Sequence, residues 1–354
     1  MYTRPLVGAV AAEIEPSSRT SNRVRYFLLW LGLFYTTWLI ILIVGSHFEV
    51  FRDHWAIGVA MALGSYFAGS TPMGGGTVGF PVLVLAFDEP ASMGRDFSLA
   101  IQSIGMTSAS ILIFCTRQSL EWRMLRWALV GATLGVPLGL MFIALIVPEL
   151  YAKLTFATLW ASFGMLHFAK VGEISRMSGL TNMSERFDAI SGLLVGLFAG
   201  AFVVSTTGVG IDMLIYIVLV LMCRADLRIA IPTSVVLMAY ASVVGIATQF
   251  SLAHLMPERY ALSPGLLANW LVAAPIVALG APFGVVACKV IPRKVTLLIV
   301  SGLCLVQFAW TLYHERASLN ASIVAGVVIA LLLLNLVFML MYDAGRRMAG
   351  TQHG

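Results

Sequence analysis

Two stretches of this 354-residue chain set glycine, hydroxyl and acidic residues inside otherwise apolar sequence. The first is Ser70-Thr71-Pro72-Met73-Gly74-Gly75-Gly76-Thr77, followed by Pro81. Three consecutive glycines weaken a helix, and unsatisfied backbone in hydrocarbon costs several kcal/mol per group. Such a segment persists only where protein or a water-filled cavity satisfies it. A glycine-rich turn leading into a helix presents backbone N–H groups and the positive end of a helix dipole, chemistry that suits an anion. The competing reading is close helix packing through small residues. Gly74, Gly75, Gly76 and Thr77 are therefore candidate substrate ligands.

The second stretch is Ser205-Thr206-Thr207-Gly208-Val209-Gly210-Ile211-Asp212. Ser205, Thr206, Thr207, Gly208 and Gly210 offer donors to a bound oxyanion, although hydroxyls here also cap half-helices. An aspartate deep in a span costs roughly 2.5–3.5 kcal/mol, so Asp212 faces the bundle or a cavity. It relays a proton, binds a cation, or caps a helix N-terminus. Gln102 and Ser103, with Thr107 on the same helical face as Ser103, correspond to a second polar cluster, Pro232-Thr233-Ser234. Gln102, Ser103, Thr233 and Ser234 complete the candidate substrate wall or hydrogen-bond between helices. With no interior Lys or Arg in this reading, helix ends must supply the positive potential.

The elements that position these residues follow from composition. The chain is 59% hydrophobic and only 11% charged, with mean hydropathy +0.91. A soluble domain averages about 25% charged residues, so this is a multi-span membrane protein, and a soluble enzyme, a secreted disulfide scaffold and a nucleic-acid-binding domain are excluded. Complete spans are expected near 26–45, 97–114, 124–147, 151–169, 227–249, 265–287, 295–313 and 319–342. Two further stretches, 55–87 and 189–223, read as hairpins of two short helices that return to the side they entered. That arrangement puts 17 of the 22 Lys and Arg in cytoplasmic segments, as the positive-inside rule requires. Residues 1–25 and 343–354 then read as cytoplasmic tails. The run after Arg25 is too long for a cleavable signal peptide.

The two hairpins also align with each other at one constant offset. Leu63 meets Leu194, Phe67-Ala68-Gly69 meets Phe198-Ala199-Gly200, Val78-Gly79 meets Val209-Gly210, and Ser103 meets Ser234. Gly135-Val136-Pro137-Leu138-Gly139 answers Gly280-Ala281-Pro282-Phe283-Gly284. The fold class is thus an all-α polytopic membrane protein with two inverted-topology repeats. Repeat 1 covers 55–169 and repeat 2 covers 189–313, joined by a cytoplasmic linker at 170–188. An extra helix with its outer loop lies at 26–54 and another at 314–342. Interrupted helices meeting near the midplane are a mark of secondary transporters.

With the Gly74-Gly75-Gly76…Pro81 hairpin, the Gly208-Val209-Gly210-Ile211-Asp212-Met213 segment, Ala230-Ile231-Pro232-Thr233-Ser234-Val235-Val236 and the paired Gly-x-Pro-x-Gly segments, the chain resembles the sulfite exporter TauE/SafE family over about 55–315. The resemblance implies a carrier in the cell inner membrane that moves sulfite, organosulfonates or similar small anions. The expected partners are that anion, membrane lipid, a coupling proton or cation, and a second copy of the chain; nucleic acid is not among them. An anion channel and a non-transporting scaffold are the alternatives. An aspartyl protease needs two adjacent acids, no P-loop is present, and no enzyme activity or cofactor is expected. Cys115, Cys223, Cys288 and Cys304 lack metal-ligand spacing and read as inert buried thiols. Asn335 reads as a link between helices.

Overall fold

The computed structural model describes residues 18–181, 183–287 and 291–351. Most of the expected N-terminal tail, together with Cys288 and Lys289, lies outside the described residues. Among the described residues the regular structure is entirely helical, as a chain in hydrocarbon requires when it closes its backbone hydrogen bonds within each segment. In chain order the main helices are α1 (Ser18–Val44), α2 (Trp55–Ser70), α3 (Gly76–Ala86), α4 (Ala91–Cys115), α5 (Trp122–Ile143) and α6 (Glu149–Ile174). They continue with α7 (Glu185–Thr207), α8 (Ile211–Met222), α9 (Leu227–Leu255), α10 (Leu266–Ala287), α11 (Arg293–His314) and α12 (Ala321–Thr351). Eight of these, α1, α4, α5, α7, α9, α10, α11 and α12, are long and apolar enough to cross a membrane. Helix α6, expected as a span at 151–169, is long enough but less apolar and is not among them, whereas α7 is.

Several boundaries differ from the sequence expectation. Helix α1 starts inside the expected tail, at Ser18, and α12 continues through 343–351, because polar residues at a span's end extend the helix into the interface. The first arm of the second hairpin is not short. Helix α7 has 23 residues, roughly 34 Å of helix, and contains a π-helical stretch from Val195 to Val204. Its return arm α8 measures only about 18 Å at the usual helical rise.

Side-chain and backbone contacts sort the loops onto two faces. On one, rich in arginine, Cys115 Sγ lies 3.1 Å from the Arg23 carbonyl and Glu121 N donates to Thr233 Oγ1 at 3.0 Å. There too Asp226 N donates to the Gly179 carbonyl at 2.7 Å, and Arg293 pairs with Asp226 at 2.9 Å. On the opposite face His54 Nδ1 lies 2.7 Å from Asn269 Oδ1, Ala91 N donates to Glu149 at 3.3 Å, and Lys153 pairs with Glu315 at 2.8 Å. The first hairpin therefore begins and ends on the opposite face, and the second on the arginine-rich face. Ser184, Asp226 and Glu121 cap α7, α9 and α5 at that face by accepting from Phe187, Arg228 and Arg123 N–H groups, satisfying donors that a helix start leaves open.

The long arms of the hairpins pack across the molecule in matching ways. Helix α2 lies along α10, and α7 lies along α5, while α4 crosses α9 and α6 crosses α11. The Gly-x-Pro-x-Gly segments explain the intimacy. A Cβ on Gly280 or Gly284 would strike Ser65 or the Tyr66 carbonyl of α2, and one on Gly135 or Gly139 would strike the Leu197 or Ala201 carbonyl of α7. Each Gly-x-Pro-x-Gly segment thus packs backbone-close against the long first arm of a hairpin. Helix α4 is central, with 72% of its most apolar stretch buried, whereas α12 is peripheral at 6% and turns Leu332, Leu333 and Leu336 outward.

Candidate functional site

The tips of the two hairpins meet against α4. Gln102 Nε2 donates to the Gly208 carbonyl at 3.0 Å and to the Ser98 carbonyl at 3.1 Å, so a helix of one repeat holds the loop of the other. A Cβ on Gly76 would sit 2.8 Å from both Ser98 Cβ and Gln102 Nε2 and would strike Val209. A Cβ on Gly208 would lie 2.7 Å from Ser98 Cβ. Gly74 has φ +65°, Gly208 +77° and Gly210 +107°, left-handed conformations that glycine adopts without a side-chain clash. The junction lies at Ser98 to Gln102, roughly 10–17 Å along α4 from its Ala91 end, inside the bundle and fully buried.

Trp160 of α6 touches both tips. Its Nε1 donates to Thr77 Oγ1 at 3.2 Å, and its ring lies 3.5 Å or less from where a Gly210 Cβ would be. It continues a stack through Phe156 and Phe80, with centroid spacings of 4.2 and 4.7 Å. Thr77 Oγ1 in turn donates to the Met73 carbonyl.

The two tips differ in how their N–H groups are used. Among the described residues, the backbone N–H groups of Gly74, Gly75 and Gly76 donate no hydrogen bond. At the second tip Asp212 supplies its own anion: Oδ1 accepts from Gly210 N at 3.2 Å and Met213 N at 3.0 Å. Its Oδ2 is buried without a partner, as are Gln102 Oε1 and Ser98 Oγ.

Most of the hydroxyls offered as ligands turn inward on their own helices. Ser103, Ser205, Thr206, Thr207, Thr233 and Ser234 donate to carbonyls three or four residues earlier, as Ser and Thr do inside helices. Thr207 also bonds the Val209 carbonyl at 3.1 Å, stabilising the tip. Thr233 and Ser234 are fully buried, and α9 presents Ile231, Pro232 and Val235 to the neighbouring cavity instead.

That cavity, about 610 Å³, runs from the arginine-rich face to Gly69, Ser70, Thr71 and Pro72, the residues just before the open N–H groups. Its mouth carries Arg117, Arg228 and Arg293. Arg293 is held by Asp226, whereas Arg117 and Arg228 have no acidic partner among the described residues. Positive side chains therefore do line an approach to the first tip, contrary to the expectation that helix ends alone supply the potential. The sequence hides them because they sit in three separated loops and resemble ordinary topology charges. Ser98 and Trp160 also belong to the junction, and no local sequence signal marks them.

An all-helical bundle with two opposed broken hairpins meeting at a buried glycine-rich junction defines a polytopic membrane protein. The family description "Sulfite exporter TauE/SafE" matches residues 55–311, most of the chain, and the chain belongs to that family. It is a membrane transporter. No curated protein and no solved structure shows a significant match.

Proposed function

We propose that the chain is a secondary carrier for a small sulfur-containing oxyanion or organosulfonate, working by alternating access at the junction of the two hairpins. One observation carries this reading: a cavity lined at its mouth by Arg117, Arg228 and Arg293 reaches Ser70, Thr71 and Pro72, just before the unclaimed N–H groups of the first tip. Arginine recognises oxyanions through fixed, planar donors, and a cavity of this size falls in the range of small-molecule sites. The positive-inside rule assigns the arginine-rich face to the cytoplasm of the inner membrane, with both termini on it. The cavity then represents an inward-open approach.

At the other face the route is closed by a polar cluster around Asp96. It accepts from Arg95 at 2.8 Å, Gln249 at 2.7 Å and Ser263 at 3.0 Å. Alternating access requires this cluster to part when the inner cavity closes. Purified protein in proteoliposomes, assayed with labelled sulfite and methanesulfonate, tests the reading. Saturable flux that one anion inhibits for the other supports a carrier; linear conductance without saturation replaces it with a channel, and absence of flux for either refutes it.

A further inference from the structure

The buried oxygens at the tip junction identify an ion that the junction itself needs. Gln102 Nε2 faces two carbonyl oxygens, of Ser98 and Gly208. Carbonyls only accept hydrogen bonds, so the amide nitrogen must lie on that side and Oε1 on the other. Asp212 Oδ1 is occupied by two backbone N–H groups, which leaves Oδ2 free. Oε1 and Oδ2 converge on one side of Gly74: a Cβ there would strike Gln102 Oε1 and come within 2.9 Å of Asp212 Oδ2. Asp212 is 0% exposed, Gln102 1% and Ser98 0%. Two buried acceptors thus lie beside the same point at Gly74, and neither has a hydrogen-bond partner.

An ionised, half-paired carboxylate in such a place is strongly disfavoured. A metal cation that prefers oxygen needs about six ligands, and among the described residues three side-chain oxygens here are unclaimed. A proton needs one donor and one acceptor. We propose that Asp212 carries an exchangeable proton on Oδ2, donated to Gln102 Oε1 across the hairpin junction. Resting on the carrier reading above, this makes the proton the ion to which anion movement is coupled. Release of the proton turns the carboxylic acid into a carboxylate, leaves two acceptors opposed, and favours separation of the tips.

Other charged groups near the junction are already engaged. Arg95 and Asp96 of α4 pair with each other. On α6, His167 bonds the Phe163 carbonyl at 2.9 Å and the Tyr216 hydroxyl of α8 at 3.1 Å. The tips, α3 and the adjoining part of α7 contribute no other titratable side chain to the junction.

Infrared difference spectroscopy of the full chain in lipid nanodiscs tests the proton directly. Acidification is expected to raise the carbonyl band of a protonated carboxylic acid, and Asp212→Asn is expected to remove it. The asparagine keeps the Oδ1 cap and supplies a donor to Gln102, so the variant retains the wild-type melting temperature. Gln102→Met, which takes away the acceptor, is expected to shift the band's midpoint to lower pH by about one unit, a tenfold loss of proton affinity. A band that persists in Asp212→Asn, or its absence from the wild type, overturns the proposal. So does erasure of the band by sodium chloride at fixed pH, with choline chloride as control, which would assign a metal cation instead.

In proteoliposomes, methanesulfonate flux through Asp212→Asn should lose its response to a pH gradient while exchange continues. Gradient-driven flux in that variant also overturns the coupling. A wild type that moves no methanesulfonate counts against the carrier reading, and the infrared result still decides the proton site.

Discussion

Gln102 of α4 and Gly208 of the second hairpin are joined by a 3.0 Å hydrogen bond, although they belong to different repeats. The side chain that holds one loop also borders the other, since Gly74 and Gly76 both abut Gln102. The two tips therefore form one unit held at Gln102, with Ser98 and Trp160 also touching both, and displacement of either disturbs the other.

The three glycines of the first tip differ in their tolerance. A Cβ on Gly75 would rest 3.4 Å from Ala68 Cβ and 3.6 Å from Met61, and its φ of −70° suits any residue. Gly75→Ala is expected to melt and transport like the wild type. Gly76→Ala forces Cβ against Val209 and Ser98 and should cost about 1–3 kcal/mol by overpacking. Thermal unfolding in detergent with flux in proteoliposomes separates the two: equal behaviour of both variants would contradict the packed junction.

The hairpins were legible in the sequence because three glycines, or Gly208 and Gly210 around Val209, cannot continue a buried helix cheaply. The Gly-x-Pro-x-Gly pairs were legible for a related reason: backbone contact demands glycine at fixed spacing. Asp212 left capping and coupling open, and its two oxygens divide accordingly between capped and free. The hydroxyls misled because Ser205, Thr206 and Ser234 bond their own helices, a choice that residue type does not reveal. Arg117, Arg228 and Arg293 converge only in three dimensions.

Asp96 joins α4, α9 and the loop before α10 on the face opposite the cavity. Its charge is buried and paired with Arg95, and it accepts from two neutral donors. Asp96→Ala should lower stability by about 3–5 kcal/mol, as removal of one partner of a buried pair does. Asp96→Asn keeps an acceptor and should lose less. If both variants unfold at the wild-type temperature, the cluster does not hold that face closed.

The cavity arginines are expected to act through charge rather than shape. Arg117 and Arg228 are exposed at the mouth, where one charge is worth about 1 kcal/mol at contact distance in water. Arg117→Gln and Arg228→Gln should each raise the KM for methanesulfonate about fivefold with little change in kcat, and raising the salt should shrink the difference. A KM that ignores both substitutions and salt would remove the arginines from the substrate path.

Glu315 ends α11 on the opposite face, where Lys153 of α6 bonds it at 2.8 Å and also contacts Glu149 at 3.0 Å. Burial alone would lift the Glu315 carboxyl, but the hydrogen bond and charge of Lys153, aided by His314, more than offset it and hold it below its ordinary 4.5. An acid whose folded pKa is depressed adds stability above its unfolded pKa and loses it as pH falls through the folded value. The contribution of the α6–α11 bridge is therefore full at neutral pH, begins to fall near the ordinary glutamate range, and is lost below it. Melting curves of the wild type and Glu315→Gln at a series of pH values should differ at neutral pH and converge on acidification. A gap that stays constant down to strongly acidic pH would show that the ion pair is not its source.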